Sequence, residues 1–186
     1  LYRPYRPKRR TRATIAKDKA LAPPAAFILL QRTKEPLEKT AAEYVSEEKD
    51  VESPEEAIQG AADIIAESIS DNADYRAWIR NATAKKGKVI STAKDPEAES
   101  VYEMYYEFEE PVAKLAGHRV LALNRGEKEK FLTVKVEAPE EDIIRYLEKK
   151  TVRTDNPYTT PVLKAVVADS YQRLIAPAIE REIRNE

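Results

Sequence analysis

The chain has 186 residues, of which 35% are charged, and it contains no cysteine and one histidine. A chain of this length buries a core without a disulfide or metal staple, and the lack of thiols excludes zinc–thiolate sites and cysteine nucleophiles and fits a reducing, cytoplasmic setting. The net charge of −1 hides a segregation: residues 1–20 carry eight Lys/Arg against one acid, a net of +7, while the other 166 carry 24 against 32, a net of −8.

The positive charge starts the chain, in LYRPYRPKRRTR. Pro4 and Pro7 fix φ and lack a backbone donor, so this arm is predicted to run extended. Arg3, Arg6, Lys8, Arg9, Arg10 and Arg12 are interleaved with Tyr2 and Tyr5, a pattern that can hold a phosphate backbone and stack on bases. The same pattern serves equally as a strap along an acidic body with its tyrosines in a groove, and the two readings are compatible.

Thr11 is predicted to cap a first helix over 12–20. After Pro23 and Pro24, AAFILLQ (25–31) reads as a buried helix, and Pro36 restarts helix toward Tyr44. Residues 47–56, acidic and poorly periodic, read as a linker or an exposed turn. Ser53-Pro54-Glu55-Glu56 is a helix start with capping-box spacing, followed by the stripe Ile58, Ala61, Ala62, Ile65 and Ile69. Asp71 or Asn72 then caps a helix with Tyr75, Trp78, Ile79 and Ala82 as its buried stripe, ended by Gly87. A link of about three residues makes this a helix-turn-helix-like pair or an ordinary αα-hairpin. Arg76, Arg80, Lys85 and Lys86 line the outer face of its second helix, a weak recognition surface because Asp74 shares it.

Beyond it, 88–91 is a candidate strand. EAESVYEMYYEFEE (97–110) reads as a helix with Tyr102, Tyr105, Tyr106 and Glu109 on one face and its carboxylates in solvent rather than on a metal. Residues 115–127 read as a helix closed near Gly126, with His118 a capping or packing residue at its start. FLTVKVE (131–137) alternates as a strand does and can pair with 88–91. Pro139 opens a helix to about Lys150, 151–160 is a turn-rich connection, and a long final helix from Pro161 is kinked at Pro177.

The predicted fold is mainly α, with at most a short two-stranded β ribbon. Its parts are a basic arm with the first helix (1–20), a helical segment (21–53), the helix-turn-helix-like subdomain (54–92) and a helical region ending in the kinked helix (93–186). No Gly-rich phosphate loop, HExxH or GxSxG occurs, so neither catalytic residues, nor a metal, nor a cofactor is expected. No apolar run nears the roughly 20 residues that span a bilayer. The chain starts inside a dense motif and stops in mid-helical pattern, so it is expected to be a piece of a longer protein.

YRPKRRTRATIA (5–16), AADIIAE (61–67), HRVLALNRGE (118–127) and RLIAPAIERE (173–182) together resemble the N-terminal helical region of the bacterial Tex proteins, transcription accessory factors related to a eukaryotic elongation factor that acts with histones. The resemblance implies that an RNase H-like resolvase-type domain thought to be inactive, helix-hairpin-helix elements and an S1 domain follow this region. It also implies that the S1 domain carries most nucleic-acid binding. On that resemblance, these 186 residues are expected to hold none of those parts, nor the family's first helices. The expected role is a non-enzymatic helical scaffold within a nucleic-acid-binding transcription factor. Its partners would be RNA or DNA, held weakly by this piece, the transcription machinery such as RNA polymerase, and the downstream domains. The alternative is a packing and protein-interaction module with no nucleic-acid affinity of its own.

Overall fold

The structure, a computed structural model, describes residues 10–185. Helix dominates, and the chain forms two compact units. One comprises residues up to Asp71 together with Leu147–Tyr171; the other comprises Asn72–Tyr146 and the segment from Gln172.

The first unit is helical. Helix α1 (Arg12–Asp18) is capped by Thr11, whose hydroxyl accepts from the Thr14 amide at 3.1 Å while Thr14 Oγ1 accepts from the Thr11 amide at 2.7 Å. Helices α2 (Ala22–Leu30) and α3 (Leu37–Ala41) follow; Pro23 and Pro24 lie in the first turn of α2 rather than before it, and Pro36 caps α3, the restart expected there. Helix α4 (Pro54–Ser70) starts at the Ser53 cap; Glu56 reaches one residue further back than a capping box requires, to the Glu52 amide at 2.8 Å. Ala61, Ile65 and Ile69 of its stripe are buried, and Ala16, Leu21, Ala41 and Val51 pack with Ala57. Leu21 lies so close over Gly60 that a Cβ there would collide with it. Helix α8 (Thr160–Asp169) lies against α4, with Ser170 Oγ donating to the Ala66 carbonyl at 2.6 Å.

A buried polar knot completes this unit. Gln31 ends α2 with φ 57°, in the left-handed region. Its side chain donates to the Thr151 carbonyl at 2.8 Å and accepts from the amides of Arg153 (3.0 Å) and Thr154 (3.3 Å). Asn156 Nδ2 donates to the Thr33 carbonyl at 2.9 Å, and Asn156 Oδ1 accepts from the amides of Tyr158 and Thr159. Thr160 Oγ1 accepts from the Asn156 amide and donates to the Thr154 carbonyl, so side chains of Gln31, Asn156 and Thr160 serve the backbone of the turn-rich 151–160 connection.

The second unit packs helices on a sheet. Helix α5 (Ala73–Lys86) is capped by Asn72 and stops at Gly87. Strand β1 (Lys88–Ala93) is central, antiparallel to β2 (Glu107–Pro111) on one side and β3 (Leu132–Glu137) on the other, with Ser91 opposite Phe108 and Val134. Helix α6 (Gly117–Lys128) precedes β3, and α7 (Glu140–Thr151) begins in this unit. Val89, Tyr102, Tyr105, Leu123, Leu132 and Val134 form the core.

The mainly α class holds, but the two-strand limit and the 97–110 helix are corrected. The sheet has three strands, and 97–110 folds as an irregular stretch, a single 3₁₀ turn at Glu103–Tyr105, and β2. As a helix, Glu99, Glu103 and Glu107 would repel one another at i,i+4 spacing. Instead Tyr102 and Tyr105 become core, and β2 pairs the second edge of β1, whose backbone needs partners because Ser91 is fully buried. Gly126 does not close α6: it sits inside the helix, where Leu132 and Tyr102 leave no room for a Cβ. The break expected at Pro177 takes the form of a π-helical turn at Ser170–Ile175, after which α9 (Ala176–Arg184) restarts with Pro177 in its first turn. The helix runs on without interruption through that turn, so the missing N–H of Pro177 leaves a carbonyl of the preceding turn without its helical donor.

Candidate nucleic-acid interface

Of the cations singled out on the arm, Arg3, Arg6, Lys8 and Arg9 lie outside the described residues. Arg10 is exposed and pairs with Asp18 at 3.5 Å, a contact that water largely screens. Arg12 is exposed at the first turn of α1. Thr11 Oγ1 donates to Glu67 Oε2 of α4 at 2.7 Å, which ties the root of the arm to that helix.

Arg12 also lines a groove of about 750 Å³ between α4 and α8. Its floor is apolar, from Ile58 and Ala62 of α4 and Val162, Ala165 and Val166 of α8. Glu38, Glu55, Asp63 and Asp169 stand among the other lining residues, four carboxylates against the single Arg12 cation. Ile58 and Ala62 of the α4 stripe are thus half-buried at this groove, unlike Ala61, Ile65 and Ile69.

Two cations of α5 pair with carboxylates of neighbouring helices. Arg80 Nε bonds Glu182 of α9 at 2.5 Å, and Lys86 Nζ bonds Asp142 of α7 at 3.1 Å. Arg145 reaches the same Asp142 at 3.4 Å. The hydrogen bond from Arg80 holds the Glu182 carboxyl below the usual glutamate range, the charges of Arg80 and Arg76 act the same way, and partial burial opposes them. Lys85 is exposed, and Asp74 stands in the first turn of the helix. Arg80 and Lys86 thus each stand beside a carboxylate of their own chain, in pairs that are partly exposed to solvent.

Trp78 corrects a sequence expectation. It is 37% exposed, and of its predicted stripe only Ile79 is buried. Its indole stacks on Tyr146 of α7, with centroids 3.9 Å apart and planes 3° apart, and Tyr75 meets Tyr146 edge-on at 6.0 Å. Burial raises the Tyr146 phenol above its ordinary value, and neighbouring Tyr75 and Asp74 add to this. Helical periodicity found the aromatic residues but not their partner, which stands 68 positions away on a different helix.

Two further expectations concern chemistry. His118 is exposed at the start of α6. Among the described residues no group of three or more His, Cys, Asp or Glu is placed to hold a metal ion.

Comparison with known proteins places the chain. Residues 31–186 match the family model described as Tex central region-like. Over its whole length the chain is 52% identical to YdcI of Bacillus subtilis, of which it covers 26%. It is 37% identical to Protein tex of Bordetella pertussis, with 73% of this chain and 17% of that protein aligned. It is 29% identical to S1 RNA-binding domain-containing protein 1 of Homo sapiens, with 67% of this chain and 14% of that protein aligned. The chain therefore spans about a quarter or less of the length of these relatives, and it belongs to the Tex family.

Proposed function

We propose that this chain is a helical scaffold region of a Tex-type transcription accessory factor, and that any nucleic-acid contact of its own is made by the N-terminal arm. The observation that carries this reading is the segregation of charge: +7 in residues 1–20 against −8 in the rest. Arg80 and Lys86 each share their charge with a neighbouring carboxylate, which favours the arm over α5. A human relative named for an S1 RNA-binding domain supports nucleic-acid association of the longer proteins, of which this chain aligns with 14%. Partners of the whole protein would be RNA or DNA and the transcription machinery, in the cytoplasm. The chain's role is architectural, not catalytic. Among the described residues no helix is long and apolar enough to cross a membrane.

A second reading, a packing module without affinity for nucleic acid, is favoured by one observation: Arg12 sits among carboxylates of its own chain. Titration of the chain with a fluorescent single-stranded oligonucleotide at rising salt separates the two. Arm contacts give weak, sequence-independent binding whose log K falls with log salt by about 0.7 per phosphate contacted. Replacing Arg9, Arg10 and Arg12 by Ala should abolish that binding with the melting temperature unchanged. No binding by the parent chain at low salt, with a melting temperature that drops in the variant, leaves only the packing module.

A further inference from the structure

We propose that the outer edge of β2 is a docking site for an extended basic segment of a partner protein, which joins the sheet as a further strand. Backbone groups alternate in direction along an antiparallel strand. The Ala93 amide donates to the Tyr106 carbonyl at 3.1 Å and the Val112 amide to the Gly87 carbonyl at 2.9 Å, so the even-numbered residues of β2 face β1. The N–H and C=O of Glu107 and Glu109 therefore point away from the sheet, and both residues are exposed. Pro111 also falls on the outward side, where an edge strand tolerates a residue without an N–H. The opposite edge differs. The Lys94 amide donates to the Phe131 carbonyl at 3.0 Å, which turns Leu132, Val134 and Val136 outward on β3. Leu132 and Val134 are buried, and the Val136 amide donates to Glu180 of α9 at 3.1 Å. Among the described residues the sheet thus has one covered edge, at β3, and one open edge, at β2.

Charge selects the occupant. Lys88 Nζ reaches Glu109 at 2.8 Å, whereas Glu107 has no cation partner among the described residues. A strand added antiparallel bonds the N–H and C=O of both glutamates, and directly opposed residues share a face. A Lys or Arg opposite Glu107 completes a cross-strand ion pair, and another opposite Glu109 shares that carboxylate with Lys88. The residue between them falls beside Phe108, which is half-buried with Arg119 over its ring, 5.5 Å from the centroid, so an apolar side chain fits there. The partner segment therefore alternates basic and apolar. A second copy of this chain is the wrong occupant. Two β2 edges paired about Phe108 set Glu107 opposite the other copy's Glu109, and like charges directly opposed destabilise a sheet. This docking is independent of nucleic-acid contact by the arm, so either can fail alone.

Amide hydrogen exchange of the 186-residue chain, followed by NMR, reads the pairing directly. The probe is a capped peptide of alternating lysine and valine. At low salt it should slow exchange at Glu107 and Glu109 several-fold and leave Phe108 and Glu110, already facing β1, unchanged. The same peptide with its lysine backbone nitrogens methylated keeps its charge but loses those donors, and should give no protection. Glu107→Lys/Glu109→Lys, on exposed side chains, should shift protection from the lysine–valine peptide to a glutamate–valine one. If that variant does not fold, the methylated peptide on the parent chain still decides. No protection by the lysine–valine peptide overturns the proposal. So does equal protection by the methylated peptide, which reports charge without pairing. Slow exchange at Glu107 and Glu109 before any peptide is added overturns it too: protection that falls on dilution gives the edge to a second copy, and protection that does not gives it to this chain itself.

Discussion

Gln31 offers the sharpest test of the packing. Its side chain serves three backbone groups of the 151–154 segment, and its own backbone has φ 57°. In Gln31→Ala the Thr151 carbonyl, on a buried residue, loses its donor, a loss of about 1–3 kcal/mol. The amides of Arg153 and Thr154 belong to exposed residues and can turn to water, so they add less. A loss of about 2 kcal/mol is therefore expected. Gln31→Gly removes more atoms yet should be about 1 kcal/mol more stable than the alanine variant, because only glycine escapes the Cβ penalty of the left-handed region. Urea unfolding followed by far-UV circular dichroism measures both. Amide exchange at Arg153 should accelerate in both variants. Alanine within 0.5 kcal/mol of the parent, or alanine more stable than glycine, would refute the reasoning.

Ile65→Ala and Ile79→Ala, each removing a fully buried side chain, should each lose about 2–5 kcal/mol, more than Trp78→Ala, which gives up a stack of about 0.5–1.5 kcal/mol and a partly exposed surface. Thermal melts that rank Trp78 as the most costly of the three would contradict the observed burial. The Arg80–Glu182 pair predicts a pH effect: a carboxyl held below its unfolded value stabilises the fold above that value and loses the contribution as pH falls through the lowered one. Glu182→Gln should thus lower stability at pH 7 by about 1 kcal/mol or less, since the pair is partly exposed, and should flatten the acid limb below about pH 4.3. An unchanged acid limb would show the pair to be without consequence. Chelators should leave the melting temperature unmoved; a chelator-induced transition would reveal a structural metal.

Local signals in the sequence were enough for the punctuation of this fold. Thr11, Ser53 and Asn72 start helices because a short polar side chain can take up an orphan amide, and Gly87 stops one, irrespective of what packs around them. Alternation sufficed for β3, and its pairing with the candidate strand at 88–91 holds, although β1 runs on to Ala93. The charge segregation was also legible, since it is a property of composition. Residues 97–110 were not, because the choice between helix and strand there depends on an edge of β1 more than a dozen positions away, and on a core that Tyr102 and Tyr105 complete. Gly126 is ambiguous for the same reason: a glycine late in a helix pattern signals either an end or a close approach, and only Leu132 and Tyr102 decide. Periodicity likewise assigns Trp78 to a face without saying whether a neighbour covers it. The α4/α8 groove and the internal partners of Arg80 and Lys86 join residues roughly 55 to over 100 positions apart. Charge and apolar pattern are written residue by residue, but whether a cation faces a carboxylate or open water is a property of the packed chain alone.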